Sequence, residues 1–422
     1  MIEGAYIAVT SWGGDDRLAT HRERLPRLWW LCAAAALAVL VVAIAAYVVI
    51  TPVGEQSDEL AHLNYARLIA HHLSLPTDGI QERQQPPLYY ALVAVALKLS
   101  GDNLRAARWV SVVLTLGTAI VLVTTVRLLA PRRAWLALAA LVMFALLPSV
   151  QYEGAQVSND SLAWLAGALV ILMLVVTLRR SQLSLAHCAA IGLAVGVAIL
   201  AKATVWPLAA LLLLALIVHH RRRLRPVQVG AVAIPAVAVC GWWVVRNLAT
   251  YHRPLPPMTP ITTPAEHTVR TARQLASWVS LSWKSTVGVE GPRQTPLVVG
   301  PGRVGLYLLF LAGLAIAAVV ATATFATMRS WRRGSPGRST AWLLAAPVLA
   351  VAFSLLNSVT LDDQPQARYL LVAATIWCAG TVWALSWPLS GRPRLAATLG
   401  AGAVMCMLLL DATTALTLRL VG

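Results

Sequence analysis

Hydrophobic residues along this chain gather into long runs separated by short basic clusters. Runs able to cross a bilayer, which takes roughly 17–25 residues of helix, begin near Trp29, Trp109, Ala134, Ser161, Leu185, Ala203, Val227, Val304, Ala341, Tyr369 and Leu395. The pattern predicts an all-α polytopic membrane protein of about 11 transmembrane helices. The run from Leu88 to Leu99 is too short to cross and ends beside Lys98. It reads as a helix lying in the interface, and that assignment fixes the side on which every later loop falls.

Composition agrees with the pattern. With 58% hydrophobic and 12% charged residues, too little polar surface remains to cover a soluble core. Residues 1–28 read as a cytoplasmic basic tail, and the run from Trp29 to Ile50 is too long for a signal-peptide core, so it is expected to stay as an uncleaved anchor. Residues 29–422 then form the transmembrane domain. The five cysteines all fall in apolar segments, where neither a disulfide framework nor a thiolate metal site is expected. A net charge of +17 raises nucleic acid as a partner, but the basic residues sit between apolar runs, as topology signals do. No nucleic acid is expected.

Charge sets the orientation. With the N-terminus inside, the clusters Arg17 to Arg27, Arg127 to Arg133, Arg179/Arg180, Arg221 to Arg225, Arg329 to Arg338 and Arg392/Arg394 all become cytoplasmic. After the N-terminal tail, no carboxylate falls in a cytoplasmic loop. A plasma-membrane protein with its chemistry on the outer face follows. Two long outer segments, 51–108 and 249–303, are the expected seats of function.

Directly after the first run comes Glu55-Gln-Ser-Asp-Glu, and a helix is expected to start there. Asp58, His62 and Tyr65 follow i, i+4, i+7 spacing and would share one helix face, a grouping suited to general-base or metal-binding work. The plainer reading is that Asp58 caps the helix and Glu59 complements its dipole. Gln84-Gln-Pro-Pro-Leu-Tyr-Tyr opens the interfacial helix, and Asp160 begins a later span on the same face, where capping is again the plainer role. Lys202, Arg246 and Arg368 stand at the outer ends of apolar spans. There they could snorkel or meet a phosphate headgroup. Arg83 lies in the first outer segment.

In their order along the chain, these pieces resemble the GT-C superfamily of membrane glycosyltransferases, especially the branch of protein O-mannosyltransferases and lipid A aminoarabinose transferases. The matching features are Asp58-Glu59, Pro86-Pro-Leu-Tyr-Tyr, Asn159-Asp160, Lys202-Ala-Thr, Arg246-Asn-Leu and Arg368-Tyr-Leu. The resemblance implies a GT-C-like fold and an inverting transfer of sugar from a polyprenyl-phosphate donor to a glycan, lipid or protein acceptor among membrane lipids. It gives the acceptor-side role to Asp58 and the second acidic position to Asp160; with Glu59 these are the candidate catalytic residues, Lys202, Arg246 and Arg368 the candidate donor phosphate binders, and His62, Tyr65 and Arg83 the candidate supports. By the same resemblance Asp160 would orient the site or hold a divalent cation, the one cofactor to consider. Where aminoarabinose transferases have Glu-Lys before the proline, this chain has Gln84-Gln85, which speaks against a metal site of that type. The competing readings are a non-enzymatic lipid or polysaccharide transporter or flippase, a lipid-linked polymer ligase, and a carrier-lipid-binding pseudo-enzyme.

Overall fold

The structure is a computed structural model, and it describes residues 27–54, 58–77, 82–131, 133–256, 337–360 and 367–386. The expected spans near Val304 and Leu395, and most of segment 249–303, lie outside the described residues.

The first span is α1 (Arg27–Ile50). It is followed by α2 (Glu59–His72), which stops at Leu73 in the left-handed region, φ 51°. Pro86 and Pro87 bar any helix upstream of α3 (Leu88–Ser100), whose 13 residues confirm the short helix read from the sequence. Gly101, at φ 67°, ends it. The next span, α4 (Leu104–Leu129), is capped by the Asn103 side chain, which accepts from the Arg105 N–H at 2.9 Å.

The run beginning at Ala134 divides in two. Helix α5 (Ala134–Leu146) stops because Leu147 precedes a proline and turns extended, and α6 (Pro148–Glu153) restarts at that proline. Gln151 Nε2 donates to the Ala145 carbonyl at 2.8 Å, satisfying an acceptor that the break sets free. Beyond a short loop come α7 (Asp160–Arg179), α8 (Leu185–Ala201), a 3-10 turn at Ala203–Val205, α9 (Trp206–His220) and α10 (Pro226–Tyr251). The later part of the bundle is α11 (Gly337–Thr360), α12 (Ala367–Leu370), a 3-10 turn at Leu371–Ala373, and α13 (Ala374–Ser386).

Helix α7 is the most enclosed span. It packs on α4, α8, α9 and the turn between α12 and α13. The last of these contacts is so close that a Cβ on Gly167 would run into the Val372 carbonyl. Five segments are long and apolar enough to cross a membrane, and Ala134–Leu146, Leu185–Ala201 and Trp342–Asn357 are shorter apolar helices. The chain is a multi-pass, all-α membrane protein.

Alternating helix direction sorts charge between the two ends of the bundle. At one end Arg179 donates to the Leu129 carbonyl at 2.8 Å and Arg223 to the Ser181 carbonyl at 2.9 Å, so the basic loops lie side by side. The carboxylates of the described residues, Asp58, Glu59, Glu82, Asp102, Glu153 and Asp160, all lie at the other end.

Candidate functional site

At the acidic end four charged side chains from distant parts of the sequence meet. Asp58 occupies the N-cap position of α2, but its side chain makes no cap hydrogen bond. Its Oδ2 instead accepts from Arg368 at 2.6 Å, across 310 positions of sequence. The other terminal nitrogen of Arg368 lies 3.5 Å from Asp160 Oδ2. Lys202 Nζ donates to Asp160 Oδ1 at 2.7 Å, and the Ser158 hydroxyl donates to Oδ2 at 2.9 Å. Capping, the plainer role for both aspartates, is therefore not how their carboxylates are used.

Local structure explains why each group points inward. Lys202 sits in extended backbone between α8 and the following 3-10 turn, which swings its side chain off the helix path. Arg368 is held by its backbone, because Trp164 Nε1 on α7 donates to its carbonyl at 3.0 Å. Tyr369 offers its ring to both cations, with Lys202 5.3 Å and Arg368 5.5 Å from the centroid. Two cations and two anions nearly balance in a largely enclosed space, which keeps each charge compensated.

The sequence groups Glu59 with Asp58; the structure parts them. Glu59 is fully buried and receives Arg108 through two parallel bonds, Nε to Oε1 at 2.8 Å and a terminal nitrogen to Oε2 at 2.7 Å. The Val157 N–H donates to Oε1 at 3.1 Å and the Gly54 N–H to Oε2 at 3.4 Å. Arg108 also donates to the carbonyls of Val48 and Thr51. This clamp ties the end of α1 to α2, α4 and the loop before Asp160.

His62 and Tyr65 do share a face, and what they share is Tyr90. His62 Nδ1 and the Tyr90 hydroxyl are joined by a 2.8 Å hydrogen bond, and the Tyr65 ring stacks on Tyr90 with centroids 3.8 Å apart. Burial drives the His62 pKa down to about 3 against the pull of Asp58, so its imidazole is neutral at ordinary pH. Asp58 is pushed up by burial, but Arg368 and His62 outweigh that and hold it well below the usual carboxylate range.

Arg246 stands apart from the four-charge cluster. It donates to the Pro76 carbonyl at 3.0 Å and to Asn247 Oδ1 at 3.2 Å, with its guanidinium 5.3 Å from the Tyr251 ring centroid. Arg83 lies half-buried in the turn that precedes α3. That turn also holds Glu82, which sequence reading overlooked because it interrupts no apolar pattern and belongs to no motif. Tyr90 and Arg108 were equally hidden, since their partners are distant in sequence.

A divalent cation does not fit the acidic pair as it stands. Both oxygens of Asp160 hold donors, and the ammonium of Lys202 and guanidinium of Arg368 occupy the ground where a dication would sit. Among the described residues no group of three or more His, Cys, Asp or Glu side chains is placed to hold a metal.

Residues 84–244 match the family model described as dolichyl-phosphate-mannose-protein mannosyltransferase. No curated protein matches the chain by sequence. The structure is similar to the crystal structure of ArnT from Cupriavidus metallidurans bound to undecaprenyl phosphate, with a TM-score of 0.52 at 17% identity, covering 85% of this chain and 60% of that one. The apo crystal structure of the same protein gives a TM-score of 0.52 at 18% identity, covering 87% and 62%. The chain thus spans about 60% of the length of the ArnT structures it resembles. At that identity the likeness establishes the GT-C-like fold.

Proposed function

We propose that this chain is a glycosyltransferase that moves a sugar from a polyprenyl-phosphate carrier to an acceptor on the outer face of the membrane. The observation that carries this reading is the convergence of Asp58, Asp160, Lys202 and Arg368 from four separate segments at one end of a GT-C-like bundle. Glycosyl transfer needs a proton acceptor for the incoming hydroxyl and positive charge at the departing phosphate. The carboxylates supply the first and Lys202 with Arg368 the second. Arg246, on the neighbouring end of α10, is the candidate grip for the carrier phosphate through its planar fork.

An inverting displacement suits this layout. The acceptor oxygen attacks the anomeric carbon as the phosphate leaves from the opposite side, with no covalent sugar on the protein. The family match and the ArnT likeness support the class of reaction, and the charge of the loops supports the outer-face placement. A transporter would instead keep its ionisable groups near mid-membrane. Here the described carboxylates gather at one end.

Mass spectrometry of lipid-linked sugars and glycosylated envelope products, from cells with and without the gene, tests the function. A donor that accumulates and a product that disappears are expected on deletion; unchanged profiles of both would overturn the reading. Cysteines introduced at Thr77 and Arg222, both exposed, should label with an impermeant maleimide from opposite sides. Labelling of both from outside would overturn the topology.

A further inference from the structure

Asn159 stands at the N-cap position of α7, where an asparagine side chain ordinarily accepts from a backbone N–H of the first turn. Here it makes no such bond. The Ser158 hydroxyl takes the Asp160 N–H instead, at 3.3 Å. The Asn159 amide is directed across the bundle to the turn before α3, where its Nδ2 donates to Gln85 Oε1 at 3.1 Å. Its Oδ1 is buried and accepts no hydrogen bond among the described residues. An unmet acceptor inside a protein is costly, which makes it a place to look for a ligand. Gln85 meets one half of the Asn159 amide edge and leaves the other half short.

A closed ring of contacts joins this amide to the four charges. From Asp58 it runs to Arg368 at 2.6 Å, on to Asp160 at 3.5 Å, along the peptide to Asn159 and across to Gln85. The Tyr65 hydroxyl donates to the Gln85 carbonyl at 3.4 Å, and the Tyr65 ring stacks on Tyr90. Tyr90 is hydrogen-bonded to His62, whose N–H returns to the Asp58 carbonyl at 3.0 Å. One half of the ring is therefore charged. The other half, Asn159, Gln85, Tyr65, Tyr90 and the neutral His62, is polar without charge.

A phosphate-linked sugar is divided in the same way. Its phosphate is an anion, its ring hydroxyls are neutral, and one oxygen joins the two. A phosphate beside Lys202 and Arg368 thus brings the sugar towards Asn159, the peptide neighbour of the aspartate that holds Lys202. Two adjacent hydroxyls match an amide edge, because one accepts from Nδ2 while the other donates to Oδ1. We propose that the Asn159 amide is the subsite for a pair of adjacent hydroxyls on the donor sugar, and that Gln85 holds its place until the sugar arrives. The proposal deepens the transferase reading above and rests on it for the identity of the ligand. Asn159 is enclosed and Gln85 half-buried, so Gln85 is the member that moves, and its withdrawal uncovers Oδ1.

The test measures binding, without turnover, to the full chain in nanodiscs. The probes are undecaprenyl phosphate carrying glucose, mannose, galactose or arabinose, and undecaprenyl methyl phosphate, a diester of the same charge that has no hydroxyls. Wild type should bind at least one glycosylated carrier about tenfold more tightly than the methyl ester. Asn159→Ala should bring that carrier back to the affinity of the methyl ester and leave the methyl ester unchanged. In Gln85→Ala nothing competes for the amide, so the glycosylated carrier should bind about threefold more tightly, again with the methyl ester unchanged. A preference that survives Asn159→Ala overturns the subsite, as does an equal loss for the methyl ester, which would make Asn159 purely structural. Should Asn159→Ala fail to fold, Gln85→Ala decides: weaker binding of the glycosylated carrier refutes the proposal. Wild type that binds every carrier no better than the methyl ester refutes the subsite alone, whereas wild type that binds no carrier at all takes down the transferase reading as well.

Discussion

Asp58 and Glu59 are adjacent carboxylates, and each is paired with an arginine, yet their surroundings give them opposite characters. Glu59 and Arg108 have side-chain exposures of 0% and 2%, and backbone groups complete the hydrogen bonding of both. The Asp58–Arg368 pair is 23% and 7% exposed and continues to Asp160 and Lys202. The first is a closed structural knot. The second is a charged cluster that is partly open at Asp58, and the difference lies in what surrounds each acid rather than in the acid itself.

The largest effect should come from breaking the closed knot. Glu59→Gln leaves the Arg108 guanidinium buried without its counter-charge, and removing one partner of a buried pair costs about 3–5 kcal/mol. Heated, detergent-solubilised Glu59→Gln should lose its folded peak in size-exclusion chromatography well before wild type. If it survives as long as wild type, the two pairs are not the different things described above.

Asp58→Asn sharpens the contrast from the other side. The asparagine keeps the shape at a partly open site, so folding should be near normal. Transfer should fall by at least ~100-fold, about 2.7 kcal/mol of barrier, because Arg368 loses the charge that aims it. Full retained activity in liposomes would remove Asp58 from the site.

The helical frame was legible in the sequence because bilayer-length apolar runs and arginine clusters are local signals. Short helix α3 and the starts of α7, α8 and α10 fell where those signals put them. The break at Leu147-Pro148 divides an apolar run that reads as one span, although the proline marked the place. Asp58, Asp160, Lys202 and Arg368 were individually visible, yet the two aspartates looked more like caps than chemistry. Only contacts spanning 310 positions for Asp58 and 42 for Asp160 decide between those roles, and no local pattern encodes them. Arg108 looked like one of many interfacial arginines, and nothing in the spacing ties it to Glu59. Glu82 carried still less signal, since it interrupts no apolar pattern and belongs to no motif.

Position 167 bears on the open cluster through the backbone. Gly167 on α7 lies against the Val372 carbonyl, and one turn earlier on α7 Trp164 holds the Arg368 carbonyl. A Cβ there meets backbone, not a side chain that can rotate away. Gly167→Ala should cost about 1–3 kcal/mol as overpacking and displace Arg368, lowering transfer roughly tenfold with little change in donor KM. A variant that is destabilised but fully active would show that the open cluster tolerates movement of its arginine.

The smallest expected effect is at Arg246, the one phosphate candidate outside the four-charge cluster. Its guanidinium now rests on the Pro76 carbonyl, the Asn247 amide and the Tyr251 ring. These partners are neutral, unlike the carboxylates that meet Arg108 and Arg368, and an incoming phosphate could exchange for the carbonyl at modest cost. Arg246→Ala should therefore raise donor KM about tenfold, near 1.4 kcal/mol, while kcat holds. Arg246→Lys should recover only part of the loss, since an ammonium keeps the charge but not the fork. If KM stays put and proteolysis within residues 73–77 quickens instead, Arg246 belongs with Arg108 as a structural fastening, and phosphate binding falls to Lys202 and Arg368.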